Sequence, residues 1–372
     1  MNDSQTISHV YVHVPFCHRI CPYCAFYKHT PGSTSMPGFV DAVLNEARLY
    51  RERYDIRPKT IYLGGGTPTA LSETHLERLL EGLREVFDAG ALEEFGSEAN
   101  PRNISASKAA MMKRCGINRI SLGVQSWDEA TLQTLGRDHS PTEAAETFQT
   151  LRGAGIKSLN IDLMFSIPGQ SFELWSQTIE RTLSLQPDHI SAYNLNYEED
   201  TDFFDKLTRG LYREEPERDA DMFFHAMNRL EQAGYGQYEV SNYARVGHQS
   251  AHNAAYWFGA DYLGLGPSAV STVGRTRWKN LADTTGYMSA IEAGILPQQE
   301  AESLTEAQHQ IERVGLELRT ARGVSRTLLP HLDDTSLLPF IDSGLLHLTK
   351  DFIQLTARGR ALADTIAAEL LP

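Results

Sequence analysis

Apolar and polar positions alternate along this chain with two periods. Short runs rich in β-branched and aromatic residues read as strands: HVYVHV (9–14), TIYL (60–63), EFGSE (94–98), RISLGV (119–124), SLNIDLM (158–164) and HISAYNL (189–195). Each precedes an amphipathic stretch with helical spacing. One is TEAAETFQTLRGAG (142–155), which Gly153 and Gly155 end; another begins near Ser72, just after GGGTP (64–68). Six such repeats predict an α/β fold with a parallel sheet, because parallel neighbours need crossovers that lay helices over the sheet. Ligands are then expected at the carboxyl ends of the strands, where barrel-type and open α/β sheets bind them.

The alternation stops near residue 295. QQEAESLTEAQHQIERVGLELRTARGV reads as the start of a helical tail, and LLHLTKDFIQLTARG (345–359) as a short hairpin with a helix. The expected division is therefore 1–295 for the main domain and 296–372 for a smaller, mainly helical one.

Composition changes this picture only at the margins. The 372 residues are 41% hydrophobic and carry a formal charge of −14, which argues against a nucleic-acid partner, since that normally needs a basic face. No apolar run approaches the roughly 18 residues of a membrane span, and MNDSQTISHV lacks a signal-peptide pattern. Four cysteines, with Cys115 apart from the rest, make a disulfide scaffold a poor fit and a reducing cytoplasm the expected compartment.

The other three cysteines carry the chemistry. HVPFCHRICPYC (13–24) holds Cys17, Cys21 and Cys24 in the loop after the first strand. They could be small core residues, although a loop between Pro15 and Pro31 packs a core badly. They could bind zinc with His13, His18 or His29, although structural zinc sites usually take two separated ligand pairs. A redox dithiol needs only two thiols. A four-iron cluster with one iron lacking a protein thiolate would use all three and leave a coordination position open.

The spacing C-x3-C-x-aromatic-C, with Tyr23 as the aromatic, resembles the radical S-adenosylmethionine (SAM) superfamily. That resemblance implies a partial (β/α)6 barrel of the TIM type, a [4Fe-4S] cluster on Cys17, Cys21 and Cys24, and SAM on the open iron. GGGTP is similar to the family's glycine motif, so Gly65, Gly66 and Thr67 should bring backbone close to the methionine amino group. SEANP (97–101), RISLGVQSW (119–127), LGRDH (135–139) and NIDLMFSIPGQ (160–170) narrow the likeness to the branch of anaerobic coproporphyrinogen dehydrogenases and HemW-type haem chaperones. By motif position, Glu98 and Arg137 should hold the methionine end of SAM, Arg137 through its planar fork. Gln125 and Asp162 should meet the ribose. Tyr11 should lie beside the cluster and Tyr23 near the adenine.

Two features choose within the branch. The dehydrogenases carry a further cysteine two positions after the third, where this chain has Phe26; the chaperones carry an aromatic there, usually after an acidic residue, where this chain has Ala25. HNAAYW (252–257) matches the chaperones' H-N-x-x-Y-W motif, which implies haem contact: His252 as an iron ligand, His248 as a spare, and Tyr256 and Trp257 against the macrocycle. LELRTARGV (316–324) resembles the chaperones' carboxyl-terminal domain. The implied function is a haem chaperone handing haem to client haem proteins, with membrane association only through those clients and without coproporphyrinogen dehydrogenase activity. The alternative is the dehydrogenase itself.

Overall fold

The computed structural model describes residues 6–90 and 92–371. Six strands run parallel in chain order: β1 (Ile7–Val14), β2 (Ile56–Gly65), β3 (Glu94–Ala99), β4 (Arg119–Gln125), β5 (Ser158–Phe165) and β6 (His189–Asn194). All six lie where the apolar runs predict them, and adjacent ones pair in parallel. The helices between them begin on side-chain caps. Ser140 and Glu143 form a reciprocal capping box with Pro141 behind the cap, so three local signals agree on that start.

The sheet then grows at both ends. β7 (Gly236–Glu239) and β8 (Asn242–Ala244) form a hairpin that pairs antiparallel with β6. At the other end β9 (Tyr262–Leu265) pairs parallel with β1, followed by antiparallel β10 (Val270–Val273), β11 (Thr276–Asn280) and β12 (Gln298–Ser303). The sheet ends on β12 and β7 without closing, which is the partial barrel expected.

The division at 295/296 falls short, because the large sheet runs on to Ser303. β12, QQEAES, is exposed at every residue and shows no apolar alternation, so the pattern reads it as part of a helical tail. The helix of that tail starts at Glu306, on a capping box between Thr305 and Gln308. Beyond it, β13 (Val324–Ser325), β14 (Leu346–Leu348) and β15 (Phe352–Leu355) make a small antiparallel sheet, with the expected hairpin and the helix Ala357–Arg360 after it. This unit has its own apolar core, which includes Val314, Leu318, Leu337, Ile353 and Ile366.

Candidate functional site

The cysteine loop leaves the carboxyl end of β1 under firm restraint. Cys17 N donates to His29 O at 3.0 Å and His29 N to Pro15 O at 2.9 Å, so the loop closes on its own stem. Behind it, His13 Nε2 donates to Tyr27 O at 2.8 Å, and Thr284 receives the loop: its N–H donates to the Tyr27 hydroxyl at 2.9 Å and its Oγ1 lies 2.8 Å from His29 Nε2. In front, Phe203 N donates to Pro22 O at 3.2 Å. All three thiols line one cavity of about 420 Å³. Burial raises the Cys17 thiol's pKa, partly opposed by the Thr67 hydroxyl 3.6 Å from its sulfur, and burial raises that of Cys24 too.

The three cysteine sulfurs do not all lie within 4.8 Å of one another. Among the described residues, only Glu77, Glu81 and Cys115 form a group of three whose ligand atoms all lie within 4.8 Å of one another. A tetrahedral zinc with bonds of about 2.3 Å holds its sulfurs about 3.8 Å apart.

The same cavity collects the ends of five strands: Gly65, Gly66 and Thr67 after β2, Glu98 on β3, Gln125 on β4, Asp162 on β5 and Tyr193 on β6, together with Tyr23 and Arg137. Gly65 sits at φ +106°, and a Cβ there would meet the His13 ring at 2.5 Å; one on Gly66 would meet the Pro15 carbonyl carbon at 2.7 Å. Only glycine fits this close approach of backbone to the loop. Gln125 adopts φ +68° where the β4–β5 register slips, a strained conformation that aims its side chain into the site.

Electrostatics follow from burial. Glu98 is pushed up to about 8, first by burial and then by the Asp162 charge, against a hydrogen bond from the Gly65 backbone. Burial also raises Asp162, whose carboxylate accepts from Ser121 Oγ at 2.9 and 2.8 Å and from Asn160 Nδ2 at 2.7 Å. Arg137 donates to Gly123 O at 2.7 Å, lies 3.6 Å from the Cys21 sulfur, and keeps a buried Nε with no partner. A buried guanidinium with an unused donor and a buried carboxyl group lining the same cavity fit a ligand carrying both an anionic and a cationic group. Three thiols, a glycine cradle and this pair are the parts that a cluster and an amino-acid-bearing cofactor need.

Tyr11 lines a second cavity of about 340 Å³, with its hydroxyl 3.2 Å from His13 Nδ1; Phe26, Tyr62, Glu98 and Tyr193 line both cavities. HNAAYW forms the short helix Ala251–Trp257 beside β2 and contributes His252, Asn253 and Tyr256 to the wall of that second cavity. His252 is 2% exposed, with Nδ1 2.7 Å from Thr60 Oγ1 and Nε2 2.8 Å from the Tyr256 hydroxyl, and its ring stacks on Tyr62. Each ring nitrogen thus has a hydroxyl partner. Glu94 locks the helix by accepting from Ser250 Oγ and Ala251 N, each at 2.8 Å, while pairing with Arg119 at 3.0 Å. His248 is held by its surroundings as well, its carbonyl accepting from Arg119 at 2.6 Å.

Sequence reasoning missed the residues that hold Asp162. Asn160 lies two residues earlier on the same strand face, and Ser121 is its register partner on β4. Asn160 also receives the His189 ring, with 2.7 Å between Nδ1 and Oδ1, extending the network through the barrel. Period-2 alternation within NIDL was the available signal.

The fold and site define a radical SAM protein, and the family model for the radical SAM superfamily matches residues 11–182. Over its full length the chain is similar to the heme chaperone HemW of Bacillus subtilis, 33% identical across 97% of this chain and 98% of the relative. It is also 38% identical to HemW of Escherichia coli over 70% of this chain and 68% of the other. The chain belongs to the HemW family within the radical SAM superfamily. The structure of coproporphyrinogen III oxidase (HemN) from Escherichia coli shares the fold, with a TM-score of 0.84 at 24% identity, over 98% of this chain and 90% of that one.

Proposed function

We propose that this chain is a haem chaperone that binds haem and passes it to client haem proteins, and that it carries a [4Fe-4S] cluster and SAM. The observation that supports this most is the full-length likeness to proteins named heme chaperones, in a chain with Phe26 where a dehydrogenase has cysteine. Cys17, Cys21 and Cys24 would hold the cluster. Glu98 would take the ammonium of SAM, Arg137 its carboxylate, and Gln125 and Asp162 its ribose, with Tyr23 on the adenine side. When bound, this pair of cofactors supplies one-electron chemistry. The chain's own contribution is to fix the ligand between opposite charges and, with the Ser121–Asn160–Asp162 network, to set the carboxylate that meets the ribose. Among the described residues no helix is long and apolar enough to cross a membrane; the cytoplasm is the compartment proposed.

Gel filtration of anaerobically reconstituted protein with haemin tests the reading. Haem should co-elute with the chain. Incubation with coproporphyrinogen, SAM and a strong reductant should give no protoporphyrinogen; robust turnover would overturn the chaperone assignment.

A further inference from the structure

The end of β4 is folded against its ordinary preference. Ser126 N donates to Val124 O at 2.8 Å across Gln125, which sits at φ +68°. That is a three-residue turn with its central residue at positive φ, the rare and strained form. Gln125 is the residue it presents to the cysteine cavity. Gly123 leaves room for the amide, since a Cβ there would meet Gln125 Nε2 at 3.1 Å and Arg137 Nη2 at 3.3 Å.

A strained turn persists only where its surroundings hold it. Here one loop supplies the restraint. Arg137 Nη2 donates to Gly123 O at 2.7 Å, and His139 Nε2 lies 3.1 Å from Val124 O, the same carbonyl that closes the turn. A carbonyl only accepts, so Nε2 carries the ring proton. The loop is itself pinned where Ser140 opens the capping box of the helix Pro141–Gly153. His139 is 4% exposed, and its Nδ1 is buried without a partner. Burial, and then the Arg137 charge, lower its pKa to about 4, so the ring is neutral. A buried acceptor left unpaired costs stability that an apolar side chain of similar size would not lose. The ring therefore contributes one thing an apolar residue cannot, the hydrogen bond to Val124 O. We infer that His139 is a positioning residue: it holds the Val124–Ser126 turn and thereby aims Gln125 at the ribose of SAM. This role rests on the SAM reading of Gln125 and adds to it a residue outside the cavity wall.

Equilibrium dialysis of labelled SAM against anaerobically reconstituted protein tests this, with 2′-deoxy- and 3′-deoxy-SAM as competitors and iron measured on every sample. The wild type should prefer SAM to at least one deoxy analogue. Gln125→Ala should weaken SAM binding on the order of fivefold, the weight of one neutral hydrogen bond, and flatten that preference. His139→Leu should do the same while melting close to the wild type, because Ser126 N still donates to Val124 O and the turn can relax. His139→Gln, whose amide can donate to the same carbonyl, should restore the preference. If His139→Leu fails to fold, His139→Phe takes its place; if neither folds, the histidine is structural and the positioning role falls. Wild-type affinity and ribose preference in a folded apolar variant, with Gln125→Ala impaired, overturn the role of His139 while the SAM reading stands. Weaker binding with the ribose preference intact, or no recovery in His139→Gln, overturns it as well. A wild type that does not bind SAM, or a Gln125→Ala protein that binds it normally, overturns the reading of Gln125 together with the role built on it.

Discussion

Cys115 and Cys24 carry the same thiol in different settings. Cys115 caps the helix Ala106–Arg114, is 3% exposed, and has its sulfur against Met111; Cys24 opens onto the cavity. Replacing Cys17, Cys21 or Cys24 with Ala should abolish the visible absorbance and most of the iron of reconstituted protein, whereas Cys115→Ala should keep both. Charge decides the neighbouring positions. Loss of one charge-assisted contact in Glu98→Ala or Arg137→Ala should weaken SAM binding by about 1.5–3 kcal/mol with iron content preserved, measured by equilibrium dialysis. Glu46 makes a different test, far from any cofactor. It is fully buried and accepts from Tyr287 Oη at 2.6 Å, Gly266 N at 2.7 Å and Asn280 Nδ2 at 2.6 Å, with no cation among these donors. Burial pushes its pKa up to about 7. The unfolded chain ionises this group first, so stability should fall as pH rises from about 4.5 to 7, by roughly 1.4 kcal/mol per unit at most, and then level off. Glu46→Gln should remove that slope in denaturant melts at a series of pH values. The new amide has a ready acceptor, since Asn280 Oδ1 is buried without a partner.

At the scale of elements, the cysteine loop depends on parts remote in sequence. Thr284 opens the helix Thr284–Glu292, and Tyr287 on the same helix anchors it to Glu46 on the helix Met36–Arg51. Strands β9 to β12 and this helix therefore act as a bracket behind the cluster loop. The helix Ala251–Trp257 packs beside β2. His252→Ala should destabilise the protein by about 2–4 kcal/mol, because it removes buried volume and leaves Thr60 and Tyr256 without their shared partner. Thermal melts combined with haem spectra on one sample would separate this role from ligation. The same elements show what the sequence could reveal. β1 to β6 are buried, regularly spaced runs, and their pattern is unambiguous. β7 to β12 are short, and β12 has no buried face, so only pairing with β11 defines it as a strand.

Across the whole molecule, most of the cysteine cavity was legible because its residues sit in contiguous motifs at strand ends, where chain order maps directly onto space. Tyr23, Gly65, Gly66, Thr67, Glu98, Gln125, Arg137 and Asp162 all converge with the three cysteines. HNAAYW is legible only as a motif, a set of residues that recur together, while the packing adds that both His252 nitrogens have hydroxyl partners. The meeting of Phe26 and Tyr193 at the cavity was illegible for the opposite reason: they come together only when β6 stands beside the loop. The central proposal is that one cavity would hold both a three-thiolate cluster and SAM. Electron paramagnetic resonance of the anaerobically reconstituted, reduced protein, recorded with and without SAM, tests that most directly. A reduced four-iron signal that changes shape on adding SAM, and does so less in Arg137→Ala, is the predicted result. A cluster signal indifferent to SAM, or a protein that takes up one zinc in place of iron, would contradict it.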